Sequence, residues 1–116
     1  MYDDIIFHIC RRDEWEAAKS RGVYAGSSQD LADGFIHFSN AQQVETSAAK
    51  HRRGQDGLVL LTVDSRALGS ALKWEESRGG ALFPHLYSDL PTKHALWTRP
   101  LPLVDGEHVL PELDGA

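Results

Sequence analysis

The chain has 116 residues and a formal net charge of −5, a length that fits one domain able to bury roughly two-thirds of its unfolded surface. An acidic balance argues against non-specific binding to nucleic acid or to an anionic membrane surface, both of which need basic side chains. With Cys10 the single cysteine, neither an intramolecular disulfide nor a thiolate metal cluster can form, which suits a reducing compartment.

Met1-Tyr2-Asp3-Asp4 is acidic and lacks the basic region and apolar run of a signal peptide, and no apolar stretch approaches a membrane span; the expected location is cytoplasmic. Ile5-Ile6-Phe7-His8-Ile9-Cys10 is nearly all apolar and bounded by charge, so it reads as a buried strand. Alternation puts Ile5, Phe7 and Ile9 on one face and Ile6, His8 and Cys10 on the other. A helix follows, with Asp13 as its expected N-cap, Glu16 at N3, Trp15 and Ala18 facing the core, and Gly22 as its stop after Lys19 and Arg21.

Residues 23–31 are small and polar and are expected to form a loop over a site, with Tyr24 among them. Asp33-Gly34 is a turn signal, residues 35–38 suit a short strand, and Ser39 with Gln42 has the spacing of a capping box opening a helix over 40–53. Ala41, Val44 and Ala48 give that helix an apolar stripe, and Gly54 is its expected end. His37 and Ser39 share one strand face.

The continuous apolar run at 58–63 predicts a central strand. A turn or one short helical turn is expected over 64–70. Residues 71–75 then form a strand with Leu72 and Trp74 on one face and Lys73 and Glu75 on the other. Arg78-Gly79-Gly80 reads as a flexible connection. Phe83, His85 and Tyr87 share a face, and Pro84 confines their segment to a sheet edge or a strand entry. A last strand is expected over 93–98, followed by an extended, proline-punctuated tail. Helices near the N-terminus followed mostly by strands give a single α+β domain over 1–116, with its core at 5–98 and the tail at 99–116.

The phosphate-binding loop, the dinucleotide Gly-x-Gly-x-x-Gly, the Gly-x-Ser-x-Gly elbow and His-Glu-x-x-His are all absent from the sequence. Polar residues inside strands carry what chemistry remains. His8 is either a core histidine bonded to backbone or a donor that grips a ligand. Ser39 is explained as well by capping as by catalysis. His37 needs a partner, since an unpaired interior polar group costs about 1–3 kcal/mol. Tyr87 and Glu75 have ordinary structural readings beside their functional ones. His51, His94 and His108 fall in solvent-facing contexts and are assigned no role. His8, His37 and His85 would suit a three-histidine metal centre only if the fold brought them together.

Phe7-His8-Ile9, Asp33-Gly34-Phe35-Ile36-His37-Phe38-Ser39 with Gln42 and Gln43, the run at 58–63, Trp74-Glu75 and Phe83-Pro84-His85-Leu86-Tyr87 occur in that order. Together this set resembles the small bacterial family labelled domain of unknown function 952. The resemblance implies a fold similar to the ADP-ribosyltransferase superfamily, a split and strongly bent antiparallel β-structure, here joined to two N-terminal helices. It also implies a cleft for NAD or a related nucleotide. His8 matches the early-strand histidine or arginine of that superfamily, and Ser39 with His37 approximates its second position. No glutamate stands at the third: His85 and Tyr87 occupy the late segment, Glu75 comes earlier and Glu107 lies in the tail. On this reading His8, His37, His85 and Glu75 are the catalytic candidates, and Ser39, Tyr87, Trp74 and Tyr24 hold the nucleotide. NAD is the implied substrate and no metal is expected. A non-catalytic nucleotide-binding module and a metal-dependent enzyme using the three histidines stay open as alternatives.

Overall fold

The apolar run ending at Asp64 forms β4 (Leu58–Asp64), the middle strand of a three-stranded antiparallel sheet. The computed structural model describes residues 4–76 and 80–111. β1 (Ile5–Arg11) pairs along one side of β4, from Ile5 opposite Asp64 to Arg11 opposite Leu58, and β8 (Ala95–Leu101) along the other. Both faces of the sheet are covered, which is why β1 and β4 read as nearly continuous hydrophobic runs. Ile6, Cys10, Leu61 and Val63 pack with Trp15 and Ala18 of α1 (Arg12–Arg21). Phe7, Ile9, Leu58 and Leu60 pack with Val44 and Ala48 of α3 (Val44–His51).

α1 starts one residue before its expected cap. Arg11 is its N-cap, its backbone N–H donating to the Glu14 carboxylate at 3.4 Å, while Asp13 lies in the first turn. Gly22 closes the helix with φ of 87°, a conformation that costs glycine little.

The stretch at 23–31 is not a loop. It holds β2 (Val23–Tyr24), which pairs with β7 (Leu90–Pro91), and the start of a short helix α2 (Ser28–Asp33), so the described residues form three α-helices rather than two. α3 also begins later than expected. Asn40 and Gln43 exchange side-chain-to-backbone hydrogen bonds at 2.9 and 3.0 Å, so the capping box sits one residue beyond Ser39. The helix ends at His51, short of Arg53.

The second sheet has the order β3 (Ile36–His37), β6 (Leu82–Leu86), β5 (Leu72–Glu76). Pro84 therefore lies on a central strand, not an edge. Phe38 N–H donates to the Pro84 carbonyl at 2.9 Å, but proline has no N–H for the return bond, and β3 ends there. The next residue, Ser39, crosses to the outer edge of β1 and exchanges two backbone hydrogen bonds of 2.8 Å with Phe7. That bridge joins the two sheets.

Residues 65–67 and 69–71 form two 3-10 turns, as the expected turn allows, whereas Lys93 and His94 lie in a third rather than in β8. The tail does not run extended. Arg99 and Leu101 belong to β8, and β9 (Leu103–Val104) turns back on β10 (Glu107–His108) through Asp105 and Gly106, both with positive φ. Met1, Tyr2 and Asp3, Arg78 and Gly79 of the expected flexible connection, and the tail beyond Pro111 lie outside the described residues.

Candidate functional site

The capping chemistry of α2 prepares the site. Ser27 Oγ accepts from Asp30 N–H at 3.3 Å, and the Asp30 carboxylate accepts from Ser27 N–H at 2.8 Å. This reciprocal pair turns the Asp30 side chain inward, where it is 3% exposed. Its other oxygen, Oδ1, accepts from His37 N–H at 3.1 Å and from the His37 ring Nδ1 at 2.5 Å. On the far side of that ring, Nε2 faces Asp33 Oδ2 at 3.0 Å. His37 thus has a carboxylate oxygen at each ring nitrogen. Burial works to raise the Asp30 carboxyl, but the His37 hydrogen bond, the nearby His8 ring and the Ser27 and His37 backbone N–H groups outweigh it and hold it at about 2.

His8 lies beneath this pair. Its Nδ1 donates to the His37 carbonyl at 2.6 Å, so Nε2 carries the lone pair and accepts from the Tyr24 hydroxyl at 2.8 Å. Asp30 Oδ2 stands 3.6 Å from the same Nε2. Burial holds the His8 ring below its ordinary range, against the pull of Asp30, so the neutral form is favoured. Burial also pushes the neighbouring Cys10 thiol up to about 12, so it supplies no nucleophile.

The second sheet brings its own group. Glu75 pairs opposite Phe83, which sets Glu75, Phe83 and His85 on one face, and Tyr87 follows two residues on. The Glu75 carboxylate accepts from His85 Nδ1 at 2.8 Å and from the Tyr87 hydroxyl at 2.6 Å. Those bonds, Tyr87 first, lower the Glu75 carboxyl, and the same contact raises the Tyr87 hydroxyl. With Nδ1 committed to Glu75, the His85 Nε2 is left to face outward from the pair. Phe35 stacks on the His85 ring at 4.1 Å, and His85 is paired in register with His37.

These elements enclose a cleft of about 510 Å³ along the outer edge of β1. His8, His37, His85 and Ser39 all line it, so four of the expected site residues share one space. Glu75 and Tyr87 stand behind His85. Trp74 does not join them: it pairs opposite Pro84 and projects from the opposite face of its sheet, 40% exposed. Tyr24 is buried at 1% exposure with its hydroxyl on His8, so it holds that ring and has no free face for a ligand. Ser39 is free of capping and shares a 2.9 Å hydrogen bond with Ser47.

The cleft has further walls that the sequence did not single out. Asp30 and Asp33 come from α2, and Ser47, His51 and Arg52 from α3 and its end, with His51 facing the cleft despite its solvent-facing context. The Ser27-x-x-Asp30 spacing was the one signal for the first of these; nothing local marks Arg52. The three histidines do not build a metal centre. Five of their six ring nitrogens are taken by Tyr24, His37, Asp30, Asp33 and Glu75, and among the described residues no group of three His, Cys, Asp or Glu is placed to hold an ion.

A chain of this architecture and this site belongs to the family described as protein of unknown function (DUF952), whose model matches residues 9–98. It is similar to CC0527 from Caulobacter crescentus. The crystal structure of that protein is 50% identical, with 90% of this chain and 93% of that one covered and a TM-score of 0.88. Its solution NMR structure is 48% identical, covering 90% of each chain, with a TM-score of 0.80. No protein of curated description matches the chain. No helix among the described residues is long and apolar enough to cross a membrane.

Proposed function

We propose that the cleft binds a ribosyl nucleotide of the NAD class, and that the protein is an ADP-ribosyltransferase-like or related nucleotide-processing enzyme. The observation that carries this reading is the convergence of His8, His37, Ser39 and His85 with the Asp30 and Asp33 carboxylates in one cleft. Cleaving a ribosyl bond develops positive charge at the sugar, and a carboxylate beside it stabilises that charge and accepts from a ribose hydroxyl. The late-strand glutamate implied by the superfamily resemblance has no counterpart here; α2 supplies the acid instead. Asp30 is ionised but buried, with hydrogen bonds on both oxygens, so it acts through its field and through His37. Asp33 is 37% exposed, His37 and Gln29 both contact its Oδ2, and Oδ1 is the oxygen offered to the ligand. His85, oriented by Glu75 and carrying a lone pair on Nε2, is the general base. The likeness of the two joined sheets to the superfamily's bent, split fold is part of this proposal.

Incubation with NAD tests it: the purified protein releases nicotinamide, and Asp33→Asn and His85→Gln each suppress the release. A second reading, a binding module without chemistry, is favoured by one observation. Both ring nitrogens of His8, the deepest histidine, are occupied by protein groups, leaving it no proton or lone pair to offer. No nicotinamide release, together with a rise in melting temperature on adding NAD or ADP-ribose, selects that reading. Absence of both effects sinks the nucleotide assignment.

A further inference from the structure

Arg52 is half-buried in the cleft wall at the end of α3. One guanidinium nitrogen donates to the Ile9 carbonyl at 3.2 Å and another to Gln55 Oε1 at 3.3 Å. Among the described residues two of its five N–H groups are used, leaving three for other partners. Among the described residues no carboxylate lies within ion-pairing distance of it, although the chain as a whole is acidic. A half-buried cation with no counter-charge among the described residues is costly to maintain, and the Ile9 carbonyl fixes this one in place at the edge of β1. Elsewhere along the same cleft, Ser47 Oγ and Ser39 Oγ share one hydrogen bond at 2.9 Å. Two hydroxyl protons are present and one is used between them, so one O–H remains to donate. Both serines line the same cleft.

We infer that Arg52, with the Ser39–Ser47 pair, forms an anion subsite that takes a phosphate or pyrophosphate group of the ligand. The planar guanidinium fork matches phosphate oxygens, and a serine hydroxyl completes the set of donors. The acidic groups of the cleft come from a different element, α2, and hang from His37 and His8 rather than from Ile9. The ligand therefore lies with its anion against α3 and its hydroxyl-bearing part against Asp33. The subsite rests on the nucleotide reading only for the identity of what carries the phosphate.

The test uses inorganic pyrophosphate and the full-length chain. Calorimetry at low salt should show binding to the wild type, weakened about tenfold or more in Arg52→Gln and less in Arg52→Lys, which keeps the charge but loses the fork. Backbone amide shifts of the wild type on titration should concentrate at residues 39, 47 and 51–55, which reads the subsite even if Arg52→Gln fails to fold. No pyrophosphate binding, or shifts confined to other surfaces, overturns the subsite. Pyrophosphate binding through Arg52 without any response to NAD keeps the subsite and removes the nucleotide reading. NAD binding that is indifferent to Arg52→Gln removes the subsite and keeps that reading.

Discussion

Asp30 holds His37 twice through a single oxygen: Oδ1 accepts from the ring Nδ1 at 2.5 Å and from the backbone N–H at 3.1 Å. The second bond matters as much as the first. It ties a helix of six residues to a strand of two, neither long enough to hold itself in place. The group that charges the cleft is also the group that fastens its wall.

Asp30→Asn should therefore cost stability as well as function. The amide keeps the shape but presents an N–H₂ where Ser27 N–H or His37 N–H must be accepted, breaking a buried charged network for about 3 kcal/mol. Urea denaturation at pH 7 reads this, and a loss below about 0.5 kcal/mol would show that the network is dispensable.

Acid should expose the same carboxylate. An aspartate in the unfolded chain titrates near 3.9, whereas folded Asp30 is held at about 2. A depressed folded value means that its contribution is complete above the unfolded value and is lost as pH falls through about 4 towards 2. The contribution is about 2.5 kcal/mol. Unfolding free energies at pH 7 and pH 2.5 should thus differ more in the wild type than in Asp30→Asn; equal differences in the two proteins would refute the assignment.

His8 works in the same direction at a higher pH. Its folded value lies below the ordinary 6.5, so under mildly acidic conditions the unfolded chain takes a proton that the folded ring refuses. Stability should decline as pH drops below about 6.5, and His8→Gln, which cannot titrate, should flatten that slope. Nitrogen NMR of the ring should show a neutral Nδ1–H form persisting below pH 6.5. A ring that protonates at its ordinary value would contradict the buried, carbonyl-bonded geometry.

Gly26 sets the position of Asp30. A Cβ added there would come within 2.7 Å of the Asp30 Cβ, an atom that no side-chain rotation moves, and φ is 106°. Gly26→Ala should destabilise the fold by about 2 kcal/mol or more through contact and backbone strain together, read as a lowered melting temperature. The His37 ring resonances should move with it.

Glu75 and Tyr87 share a contact in solvent, so its removal should leave stability nearly unchanged. Tyr87→Phe should instead let the Glu75 carboxyl rise, and Glu75→Gln should let the Tyr87 hydroxyl fall back towards 10, since each shift has the other group as its first cause. Carboxyl carbon NMR and tyrosine absorbance follow the two titrations. Independent titration of both groups would break the arrangement that orients His85.

The parts of the fold that could be read from the chain are those buried on both sides. β1 and β4 carry nearly continuous apolar runs because helices cover each face, and α1 announces itself by Trp15, Ala18 and Gly22. α2 escaped because its one buried side chain is polar, so no apolar period exists to find; only Ser27-x-x-Asp30 marked it. Trp74 and Glu75 show the limit within a strand. Alternation separates their faces, but which face meets the cleft depends on Glu75 standing opposite Phe83, and register is a property of the paired strands. Arg52 reaches its place through a carbonyl 43 residues away, a contact without local signature.

Pro84 acts as a punctuation mark placed in the middle of a sheet. Because it cannot answer Phe38, the chain is released one residue later and spends its next pair of hydrogen bonds on Phe7. A residue able to donate at this position, as in Pro84→Ala, would let β3 zip one step further along β6 and pull Ser39 away from β1. Faster hydrogen exchange at Phe7 N–H and Ser39 N–H would report it, and unchanged exchange would show that the corner is held by other means. The hollow between the sheets thus begins with a single proton that the chain does not possess.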